Sequence, residues 1–205
     1  MAAKTCDVTA HPRIIGSSEG PMTSDKAKHA LPTILIRSGG QTGVDRAALD
    51  FALRAGLSYG GWCPRGGWAE DFPAPPGLLA KYPCLRETPS AESEQRSAWN
   101  VRDSHATLIL VHGVDFNRSK VAFRSPGTEF TRQIAELVFL RPCHGADVWK
   151  SDSVPRAREW LARVTDALSV SEFVVNVAGP RESEAPGIYT EAGKFLIALL
   201  AHDSR

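Results

Sequence analysis

Apolar positions along this chain follow two rhythms, continuous short runs and helical spacing, and the two alternate. Order begins at Thr33, where Ile34-Leu35-Ile36 forms an apolar, partly β-branched run between Pro32 and the polar turn Arg37-Ser38-Gly39-Gly40. That pattern predicts a buried strand. In residues 44–55, Val44, Ala47, Ala48, Phe51, Ala52 and Ala55 fall near one helical face, and Gly56 closes the predicted helix. Residues 59–65 read as a brief extended piece, 68–81 as a long Pro/Gly-rich loop, and 82–87 as a short strand. A polar but helix-compatible stretch runs from Ser90 to about Arg102, with Thr88 or Ser90 as its cap.

The run ATLILVH at 106–112 predicts a central strand covered on both faces. Residues 114–124 read as loop, and Ser125-Pro126-Gly127-Thr128 as a tight turn leading into a helix over 129–136. Further elements are a strand over 138–142, an amphipathic helix over 155–168 with Trp160, Leu161 and Val164 on its apolar positions, a strand over 173–177, and a closing helix over 188–200. Strands alternating with helices predict an α/β, Rossmann-like, doubly wound and mostly parallel sheet with helices on both faces. We read residues 1–31 as a poorly ordered N-terminal extension and 32–205 as a single ligand-binding domain.

Composition narrows the function. The chain has 205 residues, 42% of them hydrophobic, and a formal net charge of +1. A globular domain with a sizeable core is expected. A near-neutral chain offers no field for non-specific attraction to nucleic acid or an acidic membrane, so neither is an expected partner. No apolar run has transmembrane length, and the N-terminus does not read as a secretory signal. Cys6, Cys63, Cys84 and Cys143 are widely spread without a CxxC pair, so no disulfide framework or metal site is expected, and the cytoplasm is the expected location.

In an open parallel sheet, ligands sit beyond the carboxyl ends of the strands. Three polar, glycine-bearing loops fall there. The first is Ser38-Gly39-Gly40-Gln41-Thr42-Gly43. Glycines let backbone approach a ligand, and the helix starting near Gly43 offers unpaired N–H groups and a positive dipole end to a phosphate. Thr42 adds a hydroxyl. Asp45 either sits at the helix start for dipole reasons or accepts protons from a ligand. Arg46 either pairs with Asp50 at i+4 or clamps a phosphate. The turn is neither a Walker A loop nor GxGxxG.

The second loop places Gly127 and Thr128 at a helix start, where Thr128 is either an N-cap or a ligand contact. The third carries Asn176, Gly179 and Arg181; Arg181 either recognises an anion or pairs with Glu182 or Glu184. Trp62, beside Arg65, is a candidate for stacking on a flat heterocycle.

The segments SGGQTGVDRAALD (38–50), GGWCPRGGWAED (60–71), DSHATLILVHG (103–113), SPGTEFT (125–131) and NVAGPRESEAPGIY (176–189) together resemble the putative molybdenum carrier family. That family looks like a circularly permuted YpsA-like branch of the SLOG superfamily, which also holds the LOG-type phosphoribohydrolases. The resemblance runs from about Ile34 to Leu200. It implies a Rossmann-like fold, a phosphorylated small-molecule ligand such as the molybdenum cofactor (molybdopterin), and a homo-oligomer, dimer or tetramer. The binding positions it implies are Gly39, Gly40, Gln41, Thr42, Gly43, Asp45, Arg46, Gly127, Thr128, Asn176, Gly179 and Arg181. The hydrolases resemble PGGxGTxEE; here Phe130 and Thr131 stand at the two acidic positions, and Glu129 is displaced by one residue. Holding a ligand is therefore the expected role. A phosphoribohydrolase using Glu129 or Asp45, or a nucleotide sensor, are the alternatives.

Overall fold

Strands buried on both sides explain why the apolar runs are continuous. The structure, a computed structural model, describes residues 32–113 and 125–200. The strands are β1 (Thr33–Arg37), β2 (Ser58–Cys63), β3 (Leu85–Glu87), β4 (Ala106–Val111), β5 (Cys143–Asp147) and β6 (Glu172–Ala178). They form a six-stranded sheet in the order β3-β2-β1-β6-β4-β5, every pair parallel. All six residues of β4 are buried, as are the five central residues of β6.

The helices are α1 (Val44–Ala55), α2 (Leu78–Lys81), α3 (Ser93–Arg102), α4 (Pro126–Gln133), α5 (Ser153–Leu168) and α6 (Ile188–Leu200). Helices α1, α6 and α5 pack side by side, and α3 packs against α4. The core around Ile36, Val44, Leu49, Val177 and Leu196 is fully buried or nearly so. Helix α1 stops where the sequence says it should. Gly56 has φ 72°, and its N–H turns back to the carbonyls of Ala52 and Leu53.

Counting from β6 makes the strand order regular. From β6, four strands (β6, β1, β2, β3) run one way across the sheet, while β4 and β5 lie on the other side. The order reverses between β6 and β4. Chain leaving the carboxyl ends there departs in opposite directions and leaves a crevice.

The strand expected over 138–142 is not there. Ile134–Val138 instead extends α4 as a π-turn, Leu140 turns back with φ 49°, and the strand is Cys143–Asp147. The apolar run Leu137-Val138-Leu140 is exposed, whereas CHGAD becomes a strand by pairing with β4 along its whole length. An edge strand needs no continuous apolar run, so pairing outweighs pattern here. The loop expected over 68–81 ends in the short helix α2. The extension 1–31 and the loop 114–124 lie outside the described residues.

Candidate functional site

A cleft of about 480 Å³ opens at the reversal point. Its walls come from four separate segments: Gln41 and Asp45 after β1, Arg96 and Ser97 of α3, Ser125–Thr128 with Phe130 and Thr131 at the start of α4, and Ala178, Gly179 and Arg181 after β6. The size falls within the range of about 300–1,000 Å³ typical of small-molecule sites. Glutamates Glu94 and Glu184 lie on its rim, and Phe130 is its aromatic surface.

Helix α4 begins at the cleft because Ser125 caps it. The Ser125 hydroxyl accepts from the Thr128 N–H at 3.4 Å, and Pro126 occupies the first turn, where a missing N–H costs nothing. Thr128 is therefore not the cap. Its residue is 2% exposed, and its Oγ1 is buried without a hydrogen-bond partner among the described residues. Thr131 beside it donates to the Gly127 carbonyl at 2.9 Å. A buried orphan hydroxyl carries a desolvation penalty of about 1–3 kcal/mol unless something completes it. A helix N-terminus with a spare hydroxyl suits an anion.

Asp45 sits in the first turn of α1, 3% exposed, and accepts from Arg96 Nη1 at 2.6 Å. Burial pushes its carboxyl upward and Arg96 pulls it back. Arg181 lines the cleft wall with its guanidinium carbon 5.8 Å from the centre of the Trp68 ring. The expected pairing of Arg181 with Glu182 or Glu184 is not formed by its guanidinium among the described residues; only its backbone N–H reaches Glu184 Oε2, at 3.0 Å. Glu70 binds both the Thr42 and Ser183 hydroxyls and so ties the loop after β2 to the cleft wall.

The structure gathers Gln41, Asp45, Gly127, Thr128, Gly179 and Arg181 around the cleft, with Gly39 and Asn176 in a polar recess at its floor beside Asp45 and Arg96. It does not bring Gly40, Thr42, Gly43, Arg46 or Trp62 to the lining. Gly40 packs towards Leu78, Leu85 and Leu49. Gly43 abuts the backbone of Pro180, Arg181 and Glu182, and the Val44 N–H is taken by the Pro180 carbonyl at 3.3 Å. The start of α1 is thus covered by chain rather than open. Arg46 pairs with neither Asp50 nor the cleft. It donates from Nε to the Gly40 carbonyl and from both Nη atoms to Asp71, at 2.7 and 2.8 Å. Trp62 packs edge-on against Trp99 and donates from Nε1 to Asp103.

A family model describing the circularly permutated YpsA SLOG family matches residues 36–200. This chain belongs to that family. In this sheet, the strand that a regular count places first is β6, the last strand of the chain. A solved structure similar to this chain is that of a putative molybdenum carrier protein from Syntrophus aciditrophicus, 35% identical, with a TM-score of 0.67, covering 83% of this chain and 96% of that one. No curated protein matches the chain. For a member of the permutated YpsA family, the fate of the hydrolase positions matters. Phe130 and Thr131 do face the cleft, whereas Glu129 is engaged by Arg132 at 2.5 Å and by Gln133 at 2.8 Å and lies outside the lining.

Sequence reasoning missed Arg96, Ser97 and Asn100. They sit on a polar helix with no glycine-rich punctuation. The available signal was an arginine on the helix leading into the most apolar strand, on the side that must face the crevice.

Proposed function

We propose that this protein binds and holds a phosphorylated, nucleotide-like cofactor in the cleft, the molybdenum cofactor foremost, and acts as its carrier in the cytoplasm. The observation that supports this most is the buried, unpartnered Thr128 hydroxyl at the start of α4, inside a cleft at the reversal point of the sheet. The Gly127 and Thr128 backbone, the Thr128 hydroxyl and Arg181 would receive phosphate, and Phe130 offers a flat apolar surface for a ring system. Among the described residues the lining contains no thiol or imidazole, so a metal carried here would be held by the ligand's own donor atoms. When bound, the molybdenum cofactor would supply a redox-active metal; this chain's residues bind, orient and shield it. The hydrolase alternative is not favoured, because Glu129 is tied to Arg132 outside the cleft.

The test is a thermal-shift and calorimetric screen of molybdopterin and nucleoside monophosphates, with pterin fluorescence after oxidation of the purified protein. Molybdopterin should stabilise the protein, and Thr128→Val should weaken binding about tenfold, or about 1.4 kcal/mol. A protein that neither yields the pterin nor is stabilised by any of these ligands refutes the reading. A homo-oligomer is part of the same proposal, supported by Leu137, Val138 and Leu140, which are 74, 66 and 77% exposed. Light scattering that gives a monomer at all concentrations would remove that part.

A further inference from the structure

Resting on the carrier reading above, we propose that Arg96 receives the oxygens of the ligand's phosphate monoester, and that Asp45 and Gly39 are positioning residues that aim it. Arg96 projects from the first half of α3 and reaches across to α1, where its Nη1 donates to Asp45 Oδ2 at 2.6 Å. That contact uses one corner of the guanidinium. The edge formed by Nε and Nη2 is left without an acceptor among the described residues, and Nε is buried. Two parallel N–H groups on one edge match two oxygens of one oxyanion.

The meeting of Arg96 and Asp45 depends on a missing atom. A Cβ at Gly39 would lie 1.7 Å from Arg96 Nη1 and 2.9 Å from Asp45 Oδ2. Only glycine lets the guanidinium pass over the turn after β1 and reach the carboxylate. The carboxylate is 4% exposed and the guanidinium side chain 15%, so the pair is held in place at a residue that lines the cleft. Two of the four buried, unpartnered side-chain atoms among the described residues, Arg96 Nε and Thr128 Oγ1, therefore belong to residues that line the same cleft. With Arg181 they supply donors from three separate segments. A tetrahedral monoester with three free oxygens uses such a set more fully than a planar carboxylate does.

The experiment follows arginine Nε–Hε resonances of the ¹⁵N-labelled full chain during titration with guanosine monophosphate, inorganic phosphate and guanosine. One Nε–Hε signal should move downfield with the monophosphate and with phosphate but not with guanosine, and it should be missing in Arg96→Lys. Arg96→Lys keeps the charge but not the fork and should weaken monophosphate binding at least tenfold. Asp45→Asn should weaken it several-fold and broaden that signal, with the thermal melt confirming that each variant is folded. Monophosphate binding that Thr128→Val weakens while Arg96→Lys and every arginine signal stay unchanged overturns the inference and leaves the carrier reading standing. Unchanged binding in Asp45→Asn overturns the positioning role. Failure of the wild-type chain to bind monophosphate, phosphate or molybdopterin overturns both.

Discussion

Replacing Gly43 with alanine sets the loop after β1 against the loop after β6. Gly43 has φ 74° and ψ −129°, a conformation that residues with a side chain avoid at a cost of about 1–3 kcal/mol. The new Cβ would lie 2.4 Å from the Pro180 carbonyl oxygen and 2.8 Å from Arg181 C and Glu182 N. All three are backbone atoms, so no flexible side chain can swing aside. Overpacking of this kind costs about 1–3 kcal/mol more. We therefore expect Gly43→Ala to lose about 2–6 kcal/mol of stability. Gly56→Ala is the matched control: φ is 72° and nothing lies within 4 Å, so only the left-handed backbone cost of about 1–2 kcal/mol applies. Equilibrium urea unfolding, followed by tryptophan fluorescence and circular dichroism, measures both. If the two variants fall within about 1 kcal/mol of each other, the contact between the loops is not what demands glycine at position 43.

Arg46→Met should cost about 2–3 kcal/mol, because it removes charge-assisted bonds to Asp71 and leaves the Gly40 carbonyl without its donor; a variant as stable as wild type would show the pair to be idle. Burial pushes the Cys63 thiol up to about 11 and the Cys143 thiol up to about 12, so iodoacetamide at neutral pH should label neither until the chain is unfolded, and peptide mass spectrometry showing rapid native labelling of either contradicts this. The hydrogen bonds from Arg46 hold the Asp71 carboxyl below the usual aspartate value of 3.8. Its contribution to stability is therefore complete above that value and is lost as pH falls through the lower native one, so acid unfolding of Asp71→Asn should be less steep than that of wild type as pH falls below 3.8. Glu129→Ala should leave monophosphate affinity within about twofold of wild type by calorimetry, since the carboxylate is bound to Arg132 outside the cleft; a larger loss would return Glu129 to the site.

The parts of this protein legible in the sequence are those where local pattern and tertiary environment agree. β1, β4, β6 and α1 are marked by apolar runs or helical spacing and sit where those patterns bury them. β5 was illegible because CHGAD gains its extended form from β4, not from its own side chains. The site divides in the same way. Glycine-rich loops announce themselves, so Gln41, Gly127 and Gly179 were expected at a site, and they line the cleft. Yet the glycines do different jobs: Gly40 and Gly43 serve packing, and Gly39 makes room for Arg96, an arginine far along the chain on α3. Arg46 looked like an anion clamp because charge near a helix start invites that reading. Asp71, in a loop without periodic pattern, takes it instead.

The position of β6 also governs when the cleft is complete. β1 and β4 are not paired with each other; each is hydrogen-bonded to β6, with Ile36 facing Val175 on one flank and Leu108 facing Val177 on the other. During synthesis both flanks leave the ribosome before the strand that joins them. Until β6 arrives, the sheet is two unjoined halves, and Arg181 has not yet reached the wall opposite Arg96. A chain interrupted before β6 therefore lacks the cleft wall that follows it, and the cleft is complete only when the last strand is set between its neighbours.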